Sequence, residues 1–71
     1  MTLRDLDLWT RTRGATLRLR FDGMTWIVIV DCRPIPAVMT THEELETAIR
    51  AAQDTTELML AQSMTAHVAE A

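Results

Sequence analysis

The clearest pattern in the chain is a pair of β-forming runs on either side of Asp22-Gly23, in the segment ATLRLRFDGMTWIVIVD. Apolar and polar residues alternate in the first run. The dipeptide Asp-Gly suits a two-residue type I′ turn, because both central positions of that turn need positive φ. The sequence therefore predicts a β-hairpin that turns at Asp22-Gly23 and places Phe21 opposite Met24.

This register separates the hairpin into two faces, since side chains alternate along a strand. One face is apolar and is expected to form the core: Leu17, Leu19, Phe21, Met24, Trp26, Val28 and Val30. The other face is mixed: Thr16, Arg18, Arg20, Thr25, Ile27, Ile29 and Asp31. It places Arg18 opposite Ile27 and Arg20 opposite Thr25. A strand that is apolar on both sides is covered on both faces or exposes a patch that attracts a partner. We therefore take Arg18, Arg20, Ile27 and Ile29 as the candidate partner-binding site.

The segment after the hairpin, residues 31–36, contains Pro34 and Pro36. Two prolines one residue apart remove backbone donors and favour extended backbone, so we expect an extended connection here. A short strand over Ala37 to Thr40 follows. A proline close to its start indicates a strand at the edge of the sheet.

The next segment, THEELETAIRAAQ, has the pattern of a helix start. Thr41 followed by Glu44 matches a capping box, and later apolar residues keep helical spacing. Asp54-Thr55-Thr56-Glu57 then resembles a second cap, although no glycine or proline separates the two segments. One helix over 42–69 would be about 42 Å long, against about 20 Å for a six-residue strand. One long helix and two consecutive helices both fit, and we favour a break near Asp54.

Residues 3–13 support two periods. As a helix, the segment is capped by Thr2, turns Leu3, Leu6 and Trp9 inward and ends at Gly14. As a strand, it places Arg11 opposite Arg18, and like charges across a sheet are destabilising. We therefore favour the helix.

Together these elements predict an α+β fold in a single domain, residues 1–71. A three-stranded antiparallel sheet would follow a short N-terminal helix, and one broken helix or two consecutive C-terminal helices would pack on the face of Leu17, Leu19 and Trp26. A chain of 71 residues, 48% of them apolar, lies near the lower size limit for folding alone. A homodimer would relieve that limit.

Composition points to the cytosol. There is one cysteine, Cys32, so no internal disulfide can form. No apolar run is long enough for a membrane helix, and the acidic N-terminus does not resemble a signal peptide. We expect a cytoplasmic protein that does not associate with membranes.

Charge is unevenly distributed. Residues 1–33 contain six arginines and four aspartates, whereas residues 34–71 contain one arginine and six acids, for a net charge of −3. A net acidic chain disfavours nucleic-acid binding unless the arginines lie on one face. Arg18 and Arg20 form such a patch, and Arg11 and Arg13 are candidates to join it.

An acidic group lies at the start of the predicted C-terminal helix. It consists of Glu43, Glu44 and Glu46. Such a group is either a solvated helix face or a surface that docks on a basic partner. We keep it as a second candidate docking face.

No residues are predicted to be catalytic, to bind a cofactor or to hold a metal. Cys32 with His42 and Asp31 matches no nucleophile signature, and there is no paired cysteine or histidine spacing for zinc. A phosphate-binding loop is excluded because the chain has no lysine.

We therefore expect a small non-enzymatic protein that binds or inhibits a protein partner by surface complementarity, as products of phages and mobile elements often do. The alternative is a nucleic-acid-binding module that uses the arginines of the hairpin.

Overall fold

A computed structural model of the protein describes the backbone of residues 2–70 and the side chains of residues 2–63. The strands form one antiparallel sheet in the order β1-β2-β3. The elements are α1 (Leu3–Arg13), β1 (Thr16–Phe21), β2 (Trp26–Asp31), β3 (Val38–His42) and α2 (Leu45–Glu70). The predicted α+β fold, with a short N-terminal helix before a three-stranded sheet, is confirmed.

The helix at residues 3–13 is confirmed. The Thr2 hydroxyl accepts a hydrogen bond from the Asp5 N–H at 3.1 Å, and the Asp5 carboxylate accepts one from the Thr2 N–H at 3.4 Å. This reciprocal capping box satisfies two of the free amides at the start of α1. The helix ends at Gly14, whose φ of 64° suits a residue without a Cβ.

The hairpin is confirmed, but its predicted register is wrong by two residues, because Phe21 lies opposite Trp26 and not Met24. The Asp22 carboxylate accepts hydrogen bonds from the Met24 and Thr25 N–H groups at 2.9 and 2.8 Å. These bonds lower the pKa of Asp22, Thr25 contributing most.

The type I′ turn at Asp22-Gly23 is therefore also wrong. The Asp22 N–H donates to the Thr25 carbonyl at 3.1 Å, so Gly23 and Met24 are the central residues of the turn. Gly23 has a φ of 100°. Within the described chain, only glycines have positive φ. A shift of two residues keeps every side chain of β1 and β2 on its predicted face, since the period of a strand is two.

Strand β3 and helix α2 begin later than predicted. Thr41 lies opposite Ile27 and His42 opposite Trp26, so both residues belong to the sheet. The predicted capping box at Thr41 is therefore wrong. Instead the His42 ring accepts a hydrogen bond from the Glu44 N–H on Nδ1 at 2.9 Å, and α2 starts at Leu45.

The connection between β2 and β3 is a turn rather than the predicted extended segment. The Ile35 N–H donates to the Cys32 carbonyl at 3.1 Å, and the Arg33–Pro34 peptide bond within this turn is cis. The turn buries Cys32 and Ile35 in the core.

Helix α2 is continuous over its 26 residues, so the break favoured near Asp54 is wrong. The Thr56 side chain does not cap a second helix. It is fully buried, and its hydroxyl donates to the Ala52 carbonyl one turn earlier, at 2.7 Å. At about 39 Å, α2 is about twice as long as a strand of this sheet, so its C-terminal part extends beyond the sheet. Even so, neither it nor α1 is long and apolar enough, over the described residues, to cross a membrane.

The core lies between α2 and one face of the sheet, with α1 packed at its side. Helix α2 packs across β2 and β3. Ala48 and Ala52 are fully buried, and the Thr40 hydroxyl donates to the Ala48 carbonyl at 2.6 Å. Among residues 2–63, whose side chains the structure describes, the buried ones are Leu6, Val28, Val30, Cys32, Ile35, Val38, Ala48, Ile49, Ala52 and Thr56.

The predicted core face is only partly buried. Val28 and Val30 on β2 are buried, whereas Leu19 on β1 remains 46% exposed and Phe21 51% exposed. Met24, in the turn, is 82% exposed. The reason is that α2 packs on the predicted face but over β2 and β3, which leaves the far side of β1 uncovered.

This packing predicts different costs for two truncations on the same face. Val28→Ala should lower the free energy of unfolding by about 2–3 kcal/mol, because it leaves a cavity under α2. Leu19→Ala removes more atoms but should cost only about 1 kcal/mol, because nearly half of that side chain is already in water. Chemical denaturation of both variants measures the difference. An equal or larger cost for Leu19→Ala would show that β1 is covered.

Candidate functional site

The four predicted site residues lie together on the face of the sheet that is turned away from α2, which we call the open face. Arg18 lies opposite Ile29, and Arg20 lies opposite Ile27. The predicted pairs, Arg18 with Ile27 and Arg20 with Thr25, are wrong because of the register shift. The grouping of the four residues on one face survives it.

Strand β3 adds a residue to the open face that the predicted site did not include. Met39 lies opposite Ile29 on the side away from Arg18 and is 66% exposed. The two isoleucines are half-buried. An apolar row of Ile27, Ile29 and Met39 thus lies beside two arginines. The local sequence around Met39 does not determine this position, because it depends on the register of β2 with β3.

The guanidinium groups of Arg18 and Arg20 form no ion pair or side-chain hydrogen bond within the described part of the chain. By contrast, Arg11 pairs with Asp7 at 3.1 Å, and Arg13 pairs with Glu57 at 2.6 Å. Arg11 and Arg13 therefore do not extend the patch as free cations. The basic patch on the open face consists of two arginines.

A second exposed apolar surface lies on the opposite face of β1 and consists of Leu19 and Phe21, which we call the β1 strip. Met24, in the turn that follows β1, is exposed as well. The Phe21 ring lies 5.0 Å from the Trp26 ring between centroids, tilted by 47°. This contact shields part of Trp26, which is half-buried. The outer side of the strip is in water, so β1 exposes apolar surface on the face that β2 and β3 bury.

The predicted acidic docking face lies at the start of α2. Glu43 and Glu44 are exposed and precede the helix, while Glu46 lies in its first turn, 3.8 Å from Arg50. The Glu44 N–H donates to His42. These contacts are those of a solvated helix start, and a docking role for the three glutamates stays a prediction.

Cys32 lies inside the core. It is 2% exposed, and its thiol donates to the Arg13 carbonyl, with Sγ 3.5 Å from the oxygen. A substrate could not reach this thiol without opening the fold. Across the described residues, histidine, cysteine, aspartate and glutamate side chains form no group of three or more that could hold a metal ion.

Glu57 is a structural residue that sequence analysis assigned to a second helix cap. Its Oε1 accepts hydrogen bonds from the Trp9 indole at 2.8 Å and from Arg13 Nε at 2.7 Å, and its Oε2 accepts one from Arg13 Nη2 at 2.6 Å. The Trp9 hydrogen bond, and after it Arg13, lowers the pKa of Glu57. These partners are 48 and 44 residues away in sequence. The contact joins α1 to α2. No local sequence pattern predicts it, because the partners are so far apart along the chain.

The open face places the apolar row of Ile27, Ile29 and Met39 beside Arg18 and Arg20, which have no ion pair within the described part of the chain. Comparison with known proteins adds no family to this description: the chain matches no family model, no curated protein and no solved structure.

The Glu57 contacts predict a pH dependence of stability. A lowered pKa means that the folded state favours the carboxylate, so this stabilisation is present above the ordinary value of 4.5 and is lost as pH falls through the folded value. At neutral pH, Glu57→Gln should lower the free energy of unfolding by about 0.5–1 kcal/mol, because the groups are partly exposed.

Urea denaturation at several pH values tests this. The gap between wild type and Glu57→Gln should shrink as the pH falls below 4.5. Glu43→Gln, an exposed glutamate, should follow the wild type at every pH. A gap that stays constant down to acidic pH would contradict the role of the carboxylate charge.

Proposed function

We propose that this chain is a non-enzymatic protein-binding domain whose open face contacts a protein partner by surface complementarity. The observation that supports this proposal is the juxtaposition of an apolar row, Ile27, Ile29 and Met39, with unpaired Arg18 and Arg20. None of the three apolar residues is fully buried, although two of them lie on the central strand of the sheet.

The chemistry of the open face indicates what the partner presents. Arginine and methionine are enriched in protein interfaces, and methionine repacks readily against surfaces of different shape. A matching partner has an apolar patch opposite Ile27 and Ile29, with acidic groups near Arg18 and Arg20. Occupying such a patch is enough to inhibit the partner if the patch is functional. This fits a small cytosolic inhibitor of the kind that phages and mobile elements encode.

A second copy of the chain is another occupant for the same face. Covering Ile27 and Ile29 in a homodimer would stabilise a domain of this size. Light scattering distinguishes the two cases, because a monomer at high micromolar concentration leaves the open face free for another protein.

Partner binding through the open face predicts the behaviour of a matched pair of variants. Ile27→Ser/Ile29→Ser should abolish stoichiometric cross-linking to a partner in host lysate, because it removes the apolar centre of the interface. Leu8→Ser/Leu58→Ser, which changes two exposed leucines on the helices, should leave cross-linking unchanged. Quantitative mass spectrometry of cross-linked products measures both.

Two results would overturn the proposal. One is the absence of any stoichiometric partner for the wild-type protein. The other is equal capture of the same partner by both double variants, since the contact would then lie elsewhere. Circular dichroism spectra that match the wild type show that each variant is folded.

Nucleic-acid binding is the second candidate, because Arg18 and Arg20 lie side by side on the open face and have no ion pair among the residues that the structure describes. With two free arginines, a complex would neutralise about two phosphates, so log K should fall with log salt with a slope of about −2. The net charge of −3 opposes even this binding.

Fluorescence anisotropy with labelled duplex and single-stranded oligonucleotides at low salt tests this alternative. We expect no saturable binding. Binding that disappears in Arg18→Ala/Arg20→Ala and remains in Arg4→Ala would favour nucleic acid over a protein partner.

A further inference from the structure

Strand β1 has a free edge. The strand order β1-β2-β3 leaves one side of β1 without a neighbouring strand. Asp22 and Thr25 are joined across the turn by a backbone hydrogen bond. Backbone groups of successive residues in an antiparallel strand alternate in direction. Counting back from Asp22, the N–H and C=O groups of Leu17, Leu19 and Phe21 therefore point away from β2.

The side chains of Leu17, Leu19 and Phe21 lie on the inner face of the sheet, which is the face on which α2 packs. Leu17 is half-buried, and Leu19 and Phe21 are about half exposed, at 46% and 51%. A further strand beside β1 would place its apolar side chains against them and continue the core sideways. The backbone edge and the β1 strip therefore suit the same occupant, an extended chain.

Charge disfavours a second β1 strand as that occupant. Opposite residues in an antiparallel pair share a face. Any such register that joins two copies of β1 over more than three residues therefore sets an arginine opposite an arginine, from Arg18 and Arg20. Like charges directly opposite are destabilising. Acidic residues at the same positions would instead pair with two guanidinium groups that have no partner within the described residues.

We propose that the free edge of β1 binds an extended segment of a protein partner in which acidic and apolar residues alternate. The segment pairs antiparallel to β1, with its acidic side chains beside Arg18 and Arg20 on the open face. Its apolar side chains contact Leu17, Leu19 and Phe21 on the inner face. This inference rests on the proposed function and specifies the partner of the same surface.

A labelled peptide of about eight residues that alternates valine and glutamate is the direct probe. Fluorescence anisotropy should show saturable binding. A peptide that alternates valine and lysine should bind about tenfold more weakly or not at all, because two favourable pairs become unfavourable. Arg18→Glu/Arg20→Glu should reverse this preference, and Arg4→Glu, on α1, should leave it unchanged.

Methylation of the peptide backbone tests edge pairing itself. In the proposed register the valines lie opposite Leu17, Leu19 and Phe21, so the N–H groups of the valines point at β1 and those of the glutamates point away. Methylation of the valine nitrogens should abolish binding. Methylation of the glutamate nitrogens is the matched control and should weaken binding by no more than about twofold.

Equal effects of the two methylated peptides would overturn edge pairing. A peptide of the same composition, with its valines in one block and its glutamates in another, is a further control. If it bound as tightly as the alternating peptide, the attraction would depend on acidic charge alone, and edge pairing would also be overturned. If no peptide binds while Ile27→Ser/Ile29→Ser still abolishes partner capture, the edge inference fails and the proposed function stands. If partner capture is also unaffected, both fail.

Discussion

The position of α2 over β2 and β3 is the constraint on which the rest of this structure depends. Ala48 and Ala52 have no exposed surface, and small side chains of this kind let the helix lie close to the sheet. The hydrogen bond from Thr40 to the Ala48 carbonyl holds β3 against the same turn of the helix. A helix placed this way covers two strands. The remaining strand, β1, is not covered by the helix, so its side away from β2 stays in water.

Two exposed surfaces follow from this placement, and they meet at β1. Arg18 and Arg20 of β1 lie on the open face, and Leu19 and Phe21 of β1 form the β1 strip on the other face. Charged residues on an edge strand are a common protection against self-association. Arg18 and Arg20 provide it here without closing the edge to a strand of opposite charge. The same two residues thus disfavour pairing with a second copy of β1 and suit the acidic segment proposed above.

The sequence predicted which face of the sheet each strand residue occupies more accurately than it predicted which residue lies opposite on the next strand. Alternation in LRLRF and WIVIV determines the faces, and a register error of two residues leaves them unchanged. The register itself depends on the Asp22 carboxylate, which binds the Met24 and Thr25 amides and moves the turn by one residue. The Asp-Gly dipeptide alone does not indicate that the Asp22 carboxylate will bind these two amides.

Long-range contacts explain the other differences. Thr41 joins β3 because it pairs with Ile27, although the local pattern favours a helix cap at this residue. Thr56 continues α2 because its hydroxyl is satisfied within the helix once it is buried. Glu57 contacts Trp9 and Arg13 from another element. Strand alternation alone was enough to place the four residues of the candidate site on one face. Placing Met39 there required the pairing of β3 with β2.

The central claim is that β1 is an unpaired edge in the free protein, and amide hydrogen exchange followed by NMR tests it most directly. Backbone groups that point at β2 should be protected, and those that point outward should exchange readily. We therefore expect slow exchange for the amides of Arg18 and Arg20 and fast exchange for Leu17, Leu19 and Phe21. Slow exchange at all five amides in the isolated protein would show that the edge is already occupied and would contradict the account.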